Sequence, residues 1–232
     1  MTLSYNLTHG KNLGDQAYQI LRHAILTFQF EPGQTIHEVD LAQSMNISRT
    51  PIRDAVHALI AEGLIEVLPQ RTKQVTLISK KRVTESAFVR MSLERSAFYL
   101  VAEQWEETPA YLRAERELTA ILDEQKFAAE QQDMEQFLET DEAFHQKLLQ
   151  LTNNQTLLRV VYLMRGHLDR FRFLAMRELD ISKQLINEHQ QILESIKTNQ
   201  QDQITCLLEK HMGNQEKQFI QLQTSFAGYF TE

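Results

Sequence analysis

The sequence predicts a mainly α-helical protein in two parts: three helices and a β-hairpin over residues 1–79, then an all-helical bundle of about six helices over 80–232. Two observations predict it. Chain breakers crowd the first third, where Pro32, Gly33, Pro51, Gly63 and Pro69 fall, whereas no proline follows Pro109 and no glycine lies between Leu64 and Arg165. Through that breaker-poor remainder, apolar residues recur at helical spacing.

Taken in order, Ala17, Ile20, Leu21, Ala24, Ile25 and Phe28 follow the i, i+3, i+4, i+7 pattern and predict a first helix from about Asp15 to Phe28. Glu31-Pro32-Gly33 turns the chain. A short helix follows from about Glu38 to Ser44, with Leu41 and Ala42 inward. Met45-Asn46-Ile47 makes a tight connection to a third helix, from Arg49 to about Glu62. Ser48 stands at its N-cap, Pro51 is tolerated in its first turn, and Gly63 stands just past its end. Leu64–Leu68 and Gln74–Ile78 read as two strands joined by Pro69-Gln70-Arg71-Thr72-Lys73, and Ser79-Lys80-Lys81 as a linker. Six helical stretches come next: about Arg82–Trp105, Thr108–Glu130, Asp133–Leu151, Gln155–Arg177, Ile181–Lys197 and Gln201–Phe226.

Composition excludes some functions. Hydrophobic residues at 42% can build a core, so disorder is not expected. No run of 18 apolar residues occurs, so no membrane span is expected. Met1 to Gly14 has no apolar core or cleavage motif of a signal peptide. Cys206 is the single cysteine, which rules out an internal disulfide and fits a reduced, cytoplasmic location. The formal net charge is −7, but residues 1–80 hold seven Lys/Arg and seven Asp/Glu, so the whole excess lies in the second part. Partners must therefore be read from local placement of charge.

Helix, short helix, tight turn, helix and hairpin is the order of a winged helix-turn-helix. Ser48, Arg49, Thr50 and Arg53 open the third helix, the part that reaches base edges when such a helix enters a major groove. Arg can donate two bonds to guanine, and Ser and Thr can hold phosphates. Gln70, Arg71 and Lys73 at the hairpin tip could touch the DNA backbone or minor groove. In the second part, Asp141 and His145 lie four apart on one helical face, with His189 and His211 on later helices. Three histidines and a carboxylate suit a divalent transition metal such as Zn or Ni, if the helices meet. Scattered surface or core histidines are the other possibility.

Residues 14–78 resemble the GntR family of bacterial transcription regulators. The resemblance is carried by Pro32-Gly33-Gln34-Thr35-Ile36, Leu41-Ala42, Ser48-Arg49-Thr50-Pro51-Ile52-Arg53-Asp54-Ala55, Leu59, Glu62-Gly63-Leu64-Ile65 and Pro69-Gln70-Arg71. It implies that Arg49, Thr50 and Arg53 read DNA with Ser48 in support. The family usually has glycine after the wing arginine. Thr72 stands there, which implies a reshaped wing. Residues 82–225 are similar to the FCD effector domain of FadR-type members of that family. Here the resemblance is carried by Arg90, Leu93-Glu94, Asp141-x-x-x-His145, Asn153-Asn154, Glu188-His189, Ile192-Leu193 and His211.

That second resemblance implies a metal held by Asp141, His145, His189 and His211, and a small carboxylate effector, such as a sugar acid, bound beside it by Arg90 through a two-pronged bond. Arg165, Arg170 and Arg172 are weaker candidates expected mostly at the surface. It also implies a homodimeric repressor on a palindromic double-stranded operator. Two other functions fit parts of the sequence. A metal-dependent hydrolase is disfavoured, because Asp141-x-x-x-His145 is not a His-Glu-x-x-His pair and no activated nucleophile is present. A helical protein-interaction module would bind DNA weakly and without salt dependence.

Overall fold

The computed structural model describes residues 12–231. Residues 1–11, part of the stretch where no signal peptide is expected, lie outside them. The chain divides into two compact units: one reaches Arg82 and includes the segment from Phe226, and the other is Val83–Ser225.

In the first unit, helix α1 (Leu13–Leu26) is started by Asn12, whose side chain accepts from the Gly14 amide. Its stripe of Ala17, Leu21, Ala24 and Ile25 is buried and packs on α3. The helix stops two residues before the periodicity does, because Thr27 caps it and Phe28 turns left-handed (φ 61°). Helices α2 (Glu38–Ser44) and α3 (Arg49–Ala61) follow as expected. Ser48 occupies the N-cap of α3 with an extended backbone, yet its hydroxyl makes no capping bond. Gly63 (φ 73°) ends α3 in a Schellman arrangement: its amide bonds to Ile60 and the Leu64 amide to Leu59.

The hairpin is β2 (Ile65–Val67) with β3 (Lys73–Val75), antiparallel, and β1 (Thr35–Ile36) adds to the other edge of β3. β1 is two residues long, too short to show alternation in the sequence. Ile78 does not extend the wing. It starts β4 (Ile78–Ser79), which pairs in parallel with β5 (Phe230–Thr231), and Tyr229 stacks on Phe28 with ring centroids 5.5 Å apart. The segment from Phe226 thus returns to the first unit, a pairing between residues 152 positions apart that no local pattern reveals.

The second unit is helical. Lys80 and Lys81 open helix α4 (Lys80–Gln104) instead of forming a linker. Helix α5 (Pro109–Gln131) begins on a Thr108 cap with Pro109 in its first turn. Asp133 caps α6 (Met134–Leu151) and Asn154 caps α7 (Gln155–Met164). The stretch expected as one helix to Arg177 breaks at Arg165. Its guanidinium turns inward to Glu142 and Asp169 (2.6 and 3.1 Å), and buried Gly166 starts α8 (Gly166–Glu178). After α9 (Ser182–Lys197), the last expected helix also divides, at Asn214, into α10 (Gln201–Gly213) and α11 (Gln215–Phe226). Phe98, Phe144, Leu148, Ile192 and Leu208 centre the core of this unit.

Candidate nucleic-acid interface and metal centre

Burial of Ile52, Ala55, Val56 and Leu59 fixes which way α3 faces. With that stripe inward, Ser48, Arg49, Thr50 and Arg53 are exposed. None of the four side chains has a hydrogen bond or ion pair among the described residues. Arg49 shares a shallow groove with Gln70, Arg71, Thr72 and Lys73, so helix tip and wing present one face. Gln70 and Arg71 are exposed, but Lys73 is half-buried on β3 and paired with Glu38. The left-handed residues of the wing are Gln70 (φ 67°) and Arg71 (φ 64°), whereas Thr72 is extended (φ −67°). Position 72, where the resemblance led to glycine, is thus not a left-handed position in this wing.

In the second unit, α6 brings Asp141 and His145, α9 brings His189 and α10 brings His211, with one ligand atom from each lying within 4.8 Å of the others. His145 Nε2 is 3.2 Å from Nε2 of both His189 and His211, and Asp141 Oδ1 is 3.5 Å from His189 Nε2. Each ring is backed by an acceptor on its other nitrogen. His145 Nδ1 faces Glu94 Oε2 at 2.8 Å, His189 Nδ1 faces Gln125 Oε1 at 2.9 Å, and His211 Nδ1 faces Glu188 Oε2 at 3.0 Å. Phe144 stacks on His189 with centroids 4.5 Å apart.

These contacts test whether the residues fit a metal. Acceptors behind every Nδ1 place the proton there, so three Nε2 lone pairs point at one spot. Asp141 Oδ1 stands beside them, buried and without a hydrogen-bond donor. Four converging electron pairs repel one another unless a cation sits among them. Tetrahedral ligands about 2.0–2.1 Å from zinc lie roughly 3.3 Å apart, close to the observed spacing. The donor set fits a divalent transition ion.

Charge around the cluster is arranged to match. Burial alone would raise the Asp141 carboxyl, but Arg172, bonded to its Oδ2 at 2.6 Å, and then the imidazoles hold it well below the carboxylate range. Burial pushes His145 down to about 4 against the opposing pull of Glu94, and pushes His189 well below 6.5. Both rings are therefore neutral near pH 7, as ligands must be. Burial likewise opposes ionisation of Glu94, yet Arg90 and His145 hold it low.

Arg90 sits in the buried stripe of α4. Its Nε donates to Glu94 Oε1 at 2.6 Å, while Nη1 and Nη2 are buried without acceptors. It lines a cavity with Arg172, His211, Leu168, Phe171 and Leu185. Arg165 and Arg170, expected at the surface, are 4% and 0% exposed, because both are bound into buried polar contacts. Arg172 is partly buried. Glu94, Gln125 and Glu188 were not legible as ring-orienting partners. The one available signal was polar residues in apolar register: Arg90 and Glu94 interrupt the α4 stripe of Val83, Ala87, Ala97, Phe98 and Val101.

Residues 13–75 match the bacterial regulatory proteins of the gntR family, and residues 85–214 match the FCD domain. The chain is a GntR-family transcriptional regulator with an FCD domain. This regulator is 26% identical over 232 residues to the HTH-type transcriptional repressor RspR of Escherichia coli strain K12, covering all of both chains. It is 33% identical over 189 residues to an HTH-type transcriptional regulator in an unstable DNA locus of Streptomyces ambofaciens, covering 82% of this chain and 77% of that one. Its fold matches the solved structure of Escherichia coli McbR/YncC with a TM-score of 0.78 at 21% identity, over 91% of this chain and 99% of that one. No helix among its described residues is long and apolar enough to cross a membrane.

Proposed function

We propose that this regulator is a FadR-type, metal-containing homodimeric repressor that acts in the cytoplasm and whose grip on a palindromic operator responds to a small organic acid. Arg49, Thr50 and Arg53, with Ser48 beside them, read the major groove, and Gln70 and Arg71 follow the backbone. Lys73 acts from behind, holding α2 to the wing through Glu38. Asp141, His145, His189 and His211 hold a divalent ion, Zn or Ni. A carboxylate sits against it on the open edge of Arg90.

One observation carries the reading: four metal-type donors converge, and one of them, His211, lines a cavity together with Arg90, whose Nη1 and Nη2 are buried without acceptors. A bound metal supplies positive charge and open coordination positions there, and Arg90 orients the acid. The cavity measures about 30 Å³, room for one or two waters. Entry of the acid must therefore move its walls, and a ligand that favours one wall arrangement shifts the protein between two states. The RspR relative is named a repressor, which supports that sign of regulation.

Elemental analysis of protein purified without chelator, combined with fluorescence anisotropy on the adjacent promoter, tests the reading. About one ion per chain and operator release by an organic acid are expected. A metal-free protein, or operator binding indifferent to every acid offered, would end it.

A further inference from the structure

Three elements of the first unit line one groove: the start of α2, Arg49 of α3, and the wing from Gln70 to Lys73. Arg49 and the wing meet the duplex, yet the α2 wall, His37 to Asp40, has no part assigned to it. Leu41 and Ala42 hold the opposite side of α2 in the core, which leaves Val39 outward and 44% exposed. Among the described residues before Arg82, the exposed large apolar side chains are Val39 and Val67, and Val39 is the one that lines this groove.

A lone exposed valine is ordinary on a protein surface. This one stands on the DNA-facing groove with a carboxylate on either side of it in the chain. Glu38 is paired with Lys73, and Asp40 is exposed. Like charge keeps a phosphate away from Asp40. Base edges carry no net charge, and the apolar group they show in the major groove is the C5 methyl of thymine. An isopropyl group makes no hydrogen bond. What it can recognise is another apolar group, because contact takes both out of water.

We propose that Val39 is a specificity-determining residue that recognises one thymine methyl in each half-site of the operator. Direct reading is then divided between two helices. Helix α3 brings the hydrogen-bond donors of Arg49 and Arg53, and α2 brings an apolar contact. The proposal rests on entry of the α3 tip into the major groove.

The full chain first selects its site from a pool of random duplexes. Each thymine of that site is then replaced singly by uracil, which removes the methyl and nothing else, and affinity is read by competition anisotropy. One thymine in each half-site should lose about four-fold on replacement, the effect of one methyl group taken out of water. Val39→Ala should bind the thymine duplex less tightly, and its affinities for the thymine and uracil duplexes should differ by less than about two-fold. Its slope of log affinity against log salt should match the wild type, because no phosphate contact is lost. Thr50 also carries a methyl at the helix tip. Thr50→Ser keeps the hydroxyl and removes that methyl, and the uracil effect should persist in it.

A wild-type protein indifferent to every uracil replacement overturns the proposal. So does a uracil effect that survives in Val39→Ala or vanishes in Thr50→Ser, or a smaller salt slope in Val39→Ala. Arg49→Ala and Arg53→Ala separate this from the reading beneath it. If neither weakens binding to the selected site, α3 does not enter the groove and both readings fall. If they weaken it and no uracil effect is present, only the role of Val39 falls. Should Val39→Ala unfold, the uracil scans of the wild type and Thr50→Ser decide.

Discussion

Each imidazole of the His145, His189 and His211 cluster is aimed from behind. Gln125, fully buried on α5, receives the Nδ1 proton of His189 and turns Nε2 toward the cluster. Removing that acceptor leaves the ring free to turn or to change tautomer, so Gln125→Leu should weaken metal binding about 10–100-fold with little change in fold. Competition with a chromophoric chelator measures it, and an unchanged affinity would mean that the amide merely fills space. The same residues set a pH dependence in the metal-stripped protein. Burial lowers His145 from 6.5 to about 4 and moves His189 in the same direction. Between pH 6.5 and 4 the unfolded chain therefore takes up protons that the folded chain refuses. Stability is fully present above pH 6.5 and declines as pH falls toward 4. Urea unfolding of the stripped protein at pH 7.5 and 5.0 should show the lower stability at 5.0, with a smaller difference in His189→Asn. At this scale the sequence paired Asp141 with His145, because residues four apart on a helix share a face, and offered His189 and His211 on later helices, but that the four converge was implied only by resemblance. Gln125, Glu188 and Arg172 were opaque: their roles depend on contacts across 23 to 64 residues of separation, which no local spacing encodes.

The elements differ in how much they owe to local signals. Helix α3 was legible from end to end, because Ser48, Pro51 and Gly63 punctuate it and its buried stripe has helical period. Its exposed opening makes a plain expectation: Arg49→Ala should cost about 1–3 kcal/mol on the cognate operator and relax preference at one base pair if the guanidinium reads a base. A uniform loss over all sequences, seen by competition anisotropy, would assign it to a phosphate instead. The wing was less legible. Resemblance pointed to position 72 as the place for a glycine, but the left-handed residues are Gln70 and Arg71. A side chain in that conformation costs about 1 kcal/mol, which glycine avoids. Gln70→Gly should therefore raise the melting temperature. Thr72→Gly should lower it, because Thr72 is extended and unstrained and glycine there only adds backbone freedom to the unfolded chain. A gain at position 72 and none at 70 would show that the turn is wound differently. The breaks at Arg165 and Asn214 were hidden for a related reason: an arginine inside an amphipathic run reads as solvated surface until Glu142 and Asp169 are seen to bind it.

For the whole molecule, net charge is a poor guide to the partner. The chain carries −7, and its first 80 residues are balanced, seven Lys/Arg against seven Asp/Glu. Attraction to a duplex must come from placement: Arg49 and Arg53 stand unpaired at a helix tip and Arg71 is exposed at the wing, while Arg22 and Lys73 are neutralised by Glu62 and Glu38. One unit with so few open cations grips phosphate weakly, since each neutralised phosphate contributes only a counterion or so of release. Tight binding then requires two units on one duplex, which is the physical argument for a dimer on a palindrome. Half-sites read from one face are separated by about one helical turn, roughly 10 base pairs. Inserting about 5 base pairs between them rotates one to the opposite face. The operator affinity of the full chain should then fall on the order of 100-fold, to that of an isolated half-site, and the slope of log affinity against log salt should shrink toward half. Binding that tolerates the insertion with its salt slope intact would mean that the two units read DNA independently, and the coupling of an acid to the operator would have to act within a single chain.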